Sequence, residues 1–275
     1  MAAVFMVVSS IAARKTGHAA PNPISELGRG VTNSLNKADQ LAPDLSKALA
    51  RAEKTLPKIV AGSDKARPPL AAQDFTGADF SGGDKAGASF AGAIVTKAQF
   101  VNTLLEGASF EGASGAEANL SKARLANSIL SASFFPRADF SEAELRKSTA
   151  RAADMSEAKF NGADLSFAKL SSLIAESADF NGAYATGAVF TDARLHDADF
   201  TDADATGVIF TNADLSNAKF ANTRIEAADF TGANIFGADF STAIGAKPNQ
   251  FVKACGDART KLPPGAEAPA CQDRS

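Results

Sequence analysis

A five-residue repeat runs through most of the chain. In steps of five from Phe75 to Phe240, 34 positions follow one another without insertion or deletion, and 28 of them are large and apolar. Two residues before these positions, 25 of the 34 repeats carry Ala. An α-helix would place apolar residues at i, i+3, i+4 and i+7, and a strand would alternate with period two. A strict period of five therefore requires a backbone that turns in the same way after every fifth residue.

Each pentapeptide is expected to form one side of a square coil. The large central residue and the Ala two positions before it then point inward, and the other three residues point outward. Small Ala beside large Phe or Leu fills such an interior without clashes. Gly, Asn, Ser and Asp after the central residue, as in Phe80-Ser81-Gly82, suit a turn at each corner.

Phe is also sorted with a period of twenty. From Phe80 to Phe240, eight of nine central residues in steps of twenty are Phe. Two sides away, from Phe90 to Phe230, five of eight are Phe, whereas the columns between are mostly smaller. This sorting supports four pentapeptides per coil, with two opposed Phe stacks that interdigitate across the interior.

The repeats resemble a known family. Ala-Asp-Phe-Ser-Glu at 138–142, Ala-Asp-Leu-Ser-Asn at 213–217 and Ala-Asp-Phe-Thr-Gly at 228–232 look like the A(D/N)(L/F)xx motif of pentapeptide-repeat proteins. The resemblance covers residues 71–246 and implies an all-β solenoid, a right-handed quadrilateral β-helix. At four pentapeptides per coil, 34 repeats give about 8.5 coils. A strand spacing of roughly 4.8 Å then predicts a rod about 40 Å long.

Both ends of such a solenoid require caps, because each coil buries itself only on its neighbours. Residues 21–70 carry apolar residues at helical spacing and predict a helical N-terminal cap and linker, or alternatively a free helical hairpin. Residues 247–275 form a short C-terminal cap and tail that contain Cys255 and Cys271. This tail is similar to one found on bacterial members of the family.

The first residues bear on the cell compartment. Residues 1–20 include an uncharged stretch, Ala2 to Ala13, which is too short to span a bilayer and matches a signal peptide. No basic side chain precedes it, so the alternatives are a start further upstream or a buried strand. A signal peptide predicts a periplasmic or secreted protein without a membrane span in the mature form, and the alternative is the cytoplasm. In an oxidising compartment Cys255 and Cys271 would form a disulfide, whereas in a reducing one they would stay unlinked thiols.

The composition argues against most catalytic and metal-binding functions. Two histidines, His18 and His196, cannot supply a multi-His site, and two cysteines exclude a four-Cys zinc site. The net charge of −3 differs from the excess of basic residues that is typical of proteins that bind nucleic acid directly. Neither a phosphate-binding loop nor a His-Glu-x-x-His motif appears. The sequence therefore predicts no enzyme, no cofactor and no metal site.

One functional hypothesis follows from the resemblance, because some cytoplasmic members are DNA-mimicking rods that bind type II topoisomerases. Residues 175–243 carry 11 acidic residues against 3 basic ones. Lysines interrupt the main carboxylate column, however, as at Lys159 and Lys219. A DNA mimic would be expected to carry a continuous column of carboxylates.

The favoured hypothesis is a non-enzymatic scaffold or protein-interaction module outside the cytoplasm. It depends on apolar residues at outward positions of two adjacent sides. These candidate residues are Ile94, Phe134 and Ile174 on one side and Ile129, Val189 and Ile209 on the other. The alternative is that β-branched residues simply suit strands. The sequence identifies neither the partner nor the oligomeric state.

Overall fold

The computed structural model describes residues 70–270. The predicted signal peptide, nearly all of the predicted N-terminal cap, and Cys271 lie outside the described residues. Within residues 70–270 there is no helix and no strand longer than one residue. The β structure consists of single parallel bridges, one in each pentapeptide.

The bridges join residues twenty positions apart. They begin with Asp74↔Ile94 and continue in steps of five to Arg224↔Ile244. A backbone that returns to the same place after every twenty residues has four pentapeptides per coil, as the sorting of Phe predicts.

The coil has four sides, which we number by the bridge residues at their centres. Side 1 runs from Asp74 through Phe134 to Asn234, side 2 from Asp79 to Asp239, side 3 from Asp84 to Ile244, and side 4 from Ser89 to Asp229. On every side the amides donate to carbonyl groups of adjacent coils, as from Phe180 N to Asp199 O at 2.7 Å. The hydrogen bonds therefore run along the axis of the solenoid.

A tight turn forms each corner. The amide of Ala78 donates to Phe75 O at 2.9 Å, and the same bond recurs in most of the pentapeptides. The second turn residue has a positive φ at every fifth position from Ala72 to Gly237, which is the pattern of a type II turn. Twenty-two of these residues are not glycine, and they include lysine, glutamate and arginine. The bonds to the neighbouring coil hold them in a conformation that an L-residue disfavours.

Asp and Asn at the bridge positions stabilise these turns. Asp79 Oδ1 accepts a hydrogen bond from Ser81 N at 2.9 Å. Asp139 and Asp199 accept the corresponding amide bond at 2.9 Å each. These side chains satisfy a backbone donor that the coil leaves unpaired, which is the bonding pattern of an Asx-turn. The acidic residue before the central Phe therefore has a structural role.

Two opposed columns of Phe rings form most of the core. On side 2, Phe180 stacks between Phe160 at 4.8 Å and Phe200 at 4.6 Å, measured between ring centroids. On side 4, Phe190 stacks on Phe210 at 5.4 Å. The columns meet edge to face, as between Phe180 and Phe190 at 5.8 Å and 89°. This arrangement confirms that Phe is stacked on two opposite inner sides.

One irregular central residue has a steric explanation. Gly115 occupies a central position where most repeats carry a large side chain. A Cβ atom on Gly115 would lie 2.1 Å from the ring of Phe135, its successor in the same column. The large ring in one coil therefore fills the space that the glycine leaves in the coil before it.

The residues after the repeats cover the last coil. Phe251 is fully buried and stacks on Phe230 at a centroid distance of 5.0 Å. Gln250 Nε2 donates to Ile225 O at 2.7 Å and to Ala228 O at 2.9 Å, which satisfies two carbonyl groups of that coil. Within residues 70–270 the chain therefore supplies its own cover for the C-terminal end of the core.

Candidate partner surface

The six apolar candidate residues all point outward, but they are exposed to different degrees. Phe134 has the largest exposed fraction at 47%, followed by Ile129 at 42%. Ile94 and Ile209 are also exposed, whereas Ile174 and Val189 are half-buried.

The structure brings four of these residues together in two groups. Ile129 and Phe134 lie in the same coil on adjacent sides, with the small corner residues Ser131 and Ala132 between them. Ile94 and Ile174 lie on the side of Phe134, each two coils away, and Ser114 and Asp154 separate them from it. We call Ile129 and Phe134 the apolar corner.

Val189 and Ile209 form the second group, because they are direct bridge partners on side 4. Thr149 and Lys169 occupy the two side-4 positions between Ile129 and Val189. Ile174 has polar neighbours on its own side, Asp154 and Arg194. The six residues therefore do not form one continuous patch.

Sequence reasoning missed exposed apolar residues on other parts of the surface. Phe167 and Tyr184 are each 58% exposed, more than Phe134, and Ile244 and Val252 are exposed as well. Tyr184 and Ile244 are side-3 bridge residues, and Phe167 is a corner residue with a φ of 58°. The signal was available, because an aromatic residue at an outward position of the repeat departs from the pattern.

The acidic half of the rod is partly neutralised by its lysines. Lys219 Nζ lies 3.2 Å from Asp199 Oδ2, and Lys261 Nζ lies 2.8 Å from Asp239 Oδ2. The hydrogen bonds from Lys261 and Ser241 lower the pKa of Asp239 to about 2. These contacts belong to side 2, where the lysines interrupt the carboxylate column.

His196 has neighbours of the kinds found in nucleophilic catalysis. Its Nδ1 lies 2.8 Å from Ser216 Oγ, and its Nε2 lies 2.9 Å from Asp197 Oδ2. Ser216 Oγ also donates to Asp214 Oδ1 at 2.7 Å. The amide of the next residue, Asn217, is bonded to a carbonyl of the adjacent coil, so it cannot stabilise an oxyanion. The group is best described as a polar ladder between coils.

Two further features bear on the predicted classes. In the described part of the chain, no three or more His, Cys, Asp or Glu residues are grouped so that they could hold a metal ion. Residues 70–270 likewise contain no helix long and apolar enough to cross a membrane.

Cys255 is not a free thiol in the structure. Because Cys271 lies outside the described residues, the disulfide stays a prediction.

The repeat pattern matches a family described as pentapeptide repeats. The matches cover residues 73–107, 96–131, 138–172, 176–212 and 209–244, which together make up more than half of the chain. The chain belongs to the pentapeptide-repeat family. The resemblance found in the sequence is therefore confirmed, and the pentapeptide-repeat rod is a right-handed β-helix solenoid.

Solved pentapeptide-repeat structures are similar to this one. HetL, involved in heterocyst differentiation regulation in the cyanobacterium Nostoc, is 24% identical, and the match covers 62% of this chain and 84% of HetL with a TM-score of 0.32. Trypsin-treated QnrB1, a plasmid-mediated fluoroquinolone resistance protein, is 18% identical over 71% of this chain and 89% of QnrB1, with a TM-score of 0.47.

A pentapeptide-repeat protein from the thylakoid lumen of Arabidopsis thaliana is 27% identical over 41% of this chain and 75% of its own, with a TM-score of 0.26. No curated protein matches the chain.

Proposed function

We propose that this pentapeptide-repeat rod is a non-enzymatic protein-interaction module that binds its partner at the apolar corner. The exposed ring of Phe134 carries the proposal. The bridge positions on either side of it hold Ser114 and Asp154, so a polar residue is evidently compatible with this column. An outward Phe is therefore not required by the fold.

The apolar corner offers a partner a modest but useful free energy. An aromatic side chain buries about 150–250 Å², and Phe134 keeps 47% of its surface exposed. At about 25 cal/mol per Å², covering the exposed part contributes about 2–3 kcal/mol. Ile129, in the same coil on the adjacent side, extends the apolar area beside the ring. A polar partner surface would gain nothing from this ring, so we expect the partner to present an apolar side chain here.

We also propose that the module acts outside the cytoplasm, in the periplasm or as a secreted protein. The proposal rests on the signal-like segment within residues 1–20 and on the two cysteines, because an exported protein folds where disulfides form. Family membership alone does not favour either compartment.

The alternative function, binding of a type II topoisomerase by an acidic rod, has less support. On side 2, turn amides and lysines engage the carboxylates, as at Asp199, so these acidic residues have a structural reason to be present. Attraction by exposed charges is also weakened at physiological salt.

A capture experiment with matched variants tests the proposed surface. The purified rod and three variants are used to capture partners from periplasmic and cytoplasmic fractions, which are then identified by mass spectrometry. Phe134→Ser removes the ring from the apolar corner, and Phe167→Ser removes an even more exposed ring from another corner. Asp199→Asn with Asp239→Asn removes two charges from side 2.

We expect Phe134→Ser to lose the partner while the other two variants retain it. Loss of the partner only in the aspartate variant would overturn the proposal and favour the acidic-rod alternative. Equal loss in both Phe variants would indicate that the partner is held by non-specific hydrophobic binding rather than by the apolar corner.

A further inference from the structure

A surface groove of about 480 Å³ lies on side 3, away from the apolar corner. Its lining includes Tyr184, Asp202, Asp204, Asn222, Arg224 and Ile244. The volume lies within the range of roughly 300–1,000 Å³ that is typical of small-ligand sites. The groove is partly open to solvent, so a bound ligand could extend beyond it.

Arg224 is available to a ligand. Within residues 70–270, no acidic side chain lies within ion-pair distance of its guanidinium group, although Asp204 is its bridge partner. Arg124 occupies the same column of side 3 and pairs with Glu106 at 2.8 Å and Glu144 at 3.8 Å. The fold therefore accommodates a paired arginine in this column, and Arg224 is the unpaired counterpart.

The groove also presents hydrogen-bond acceptors. Asp202 Oδ1 accepts a bond from Asn222 Nδ2 at 3.1 Å, and Asp204 Oδ1 accepts one from Thr206 N at 3.0 Å. These bonds orient both carboxylates. Among the described residues, neither Oδ2 atom has a hydrogen-bond partner, so each carboxylate keeps an oxygen for a ligand.

Tyr184 supplies an aromatic platform. Its side chain is 58% exposed, and within the described part of the chain its hydroxyl group contacts no hydrogen-bond partner. The face of an aromatic ring is electron-rich and attracts groups that carry partial positive charge. The C–H groups on one face of a sugar ring are of this kind.

We propose that this groove binds a neutral oligosaccharide. Vicinal hydroxyl groups would donate to Asp202 and Asp204 and accept from Arg224, while a pyranose ring would lie on Tyr184. Both signs of charge lie within one groove, which suits a ligand that is rich in donors and acceptors but has no net charge.

Other ligand classes fit the groove less well. Two carboxylates beside Arg224 disfavour a phosphate or another small anion. A peptide that binds by strand addition needs free backbone groups, but the amides along this face donate to the adjacent coil, as from Asp204 N to Ala183 O at 2.9 Å. Besides the Tyr184 ring, only Ile244 among the lining residues would anchor an apolar side chain.

The composition of the chain provides a direct probe. It has no Trp and a single Tyr, Tyr184, so the tyrosine fluorescence of the whole protein reports on this groove. The full chain is titrated with maltose, cellobiose and N,N′-diacetylchitobiose, and in parallel with triglycine and with inorganic phosphate. Isothermal titration calorimetry on the same samples detects any binding that leaves the fluorescence unchanged.

We expect at least one disaccharide to bind saturably with a Kd of about 1 mM, near −4 kcal/mol. Arg224→Gln should weaken that binding at least tenfold, whereas Arg151→Gln, which changes an exposed arginine at the corner between sides 4 and 1, should leave it unchanged. Circular dichroism and melting temperature establish that both variants are folded.

Three results would overturn the proposal. The first is no saturable binding of any disaccharide by either method, and the second is binding of triglycine or phosphate alone. The third is disaccharide binding that Arg224→Gln leaves unchanged, which would place the sugar elsewhere. None of these results bears on partner capture through Phe134, so the two proposals fail separately.

Discussion

Removing one ring from the stacked Phe column on side 2 tests how the core is stabilised. Phe180 is fully buried, stacks between Phe160 and Phe200, and meets Phe190 edge to face. Phe180→Ala therefore removes two stacked contacts and one edge contact at once. The backbone bonds between coils fix the spacing, as from Phe160 N to Asp179 O at 2.6 Å, so the neighbouring rings cannot move together to fill the space.

The expected cost is about 3–5 kcal/mol, which combines the lost transfer free energy with the cavity left behind. For a unit of roughly 200 residues, each kcal/mol lowers the melting temperature by about 2–4 °C. The melting temperature should therefore fall by about 6–20 °C. Phe180→Leu is the matched control, because Leu120 occupies the same column between Phe100 and Phe140, and it should cost only about 1 kcal/mol.

Urea unfolding followed by circular dichroism, together with thermal melts, measures both variants against the parent chain. The linear extrapolation gives the free energy of unfolding, and an unchanged slope shows that the same surface is exposed. A cost below 1 kcal/mol for Phe180→Ala, or equal costs for the two variants, would refute the argument that the fixed coil spacing prevents collapse.

Three further predictions concern the core, the side-2 ion pairs and the tail. Gly115→Ala should lower the free energy of unfolding by about 1–3 kcal/mol, because its Cβ would meet the Phe135 ring at 2.1 Å, and adding Phe135→Leu should restore part of the loss. Since the folded pKa of Asp239 is about 2, below the ordinary 3.8, its stabilising contribution is present above pH 4 and lost as the pH falls to about 2. Between pH 5 and 2, the free energy of unfolding should therefore fall less steeply for Asp239→Asn than for the parent chain. Cys255 and Cys271 should form a disulfide in protein from its native compartment, and intact mass without reductant should be lower by two hydrogens than with it; equal masses would contradict this.

The sequence was sufficient to predict the interior of the rod. The period of five determines which residues point inward, and the period of twenty determines which of them stack. Phe140, Phe160, Phe180 and Phe200 lie in one inward column because a strict frame leaves no other register. Gly115 appeared only as an exception, since its role depends on a ring that lies twenty residues later in the chain.

The corners were harder to predict from the sequence. Glycine and asparagine suggested turns, but the positive φ also occurs at residues such as Lys97, Glu117 and Phe167. Local propensity argues against this conformation at each of them. It is maintained because bonds to the neighbouring coil outweigh the local cost, and these bonds are not visible in a single pentapeptide.

The outer surface is where the repeat pattern predicts least. An outward position tolerates many residue types, so the frame locates Phe134 and Tyr184 without indicating which neighbours they share. The coil geometry determines these neighbours. It places Phe134 beside Ile129, and it places Tyr184 in a groove with Arg224. Because the interior is the same in every coil, a specific function must depend on such departures from the pattern, and these two sites can be tested with separate variants.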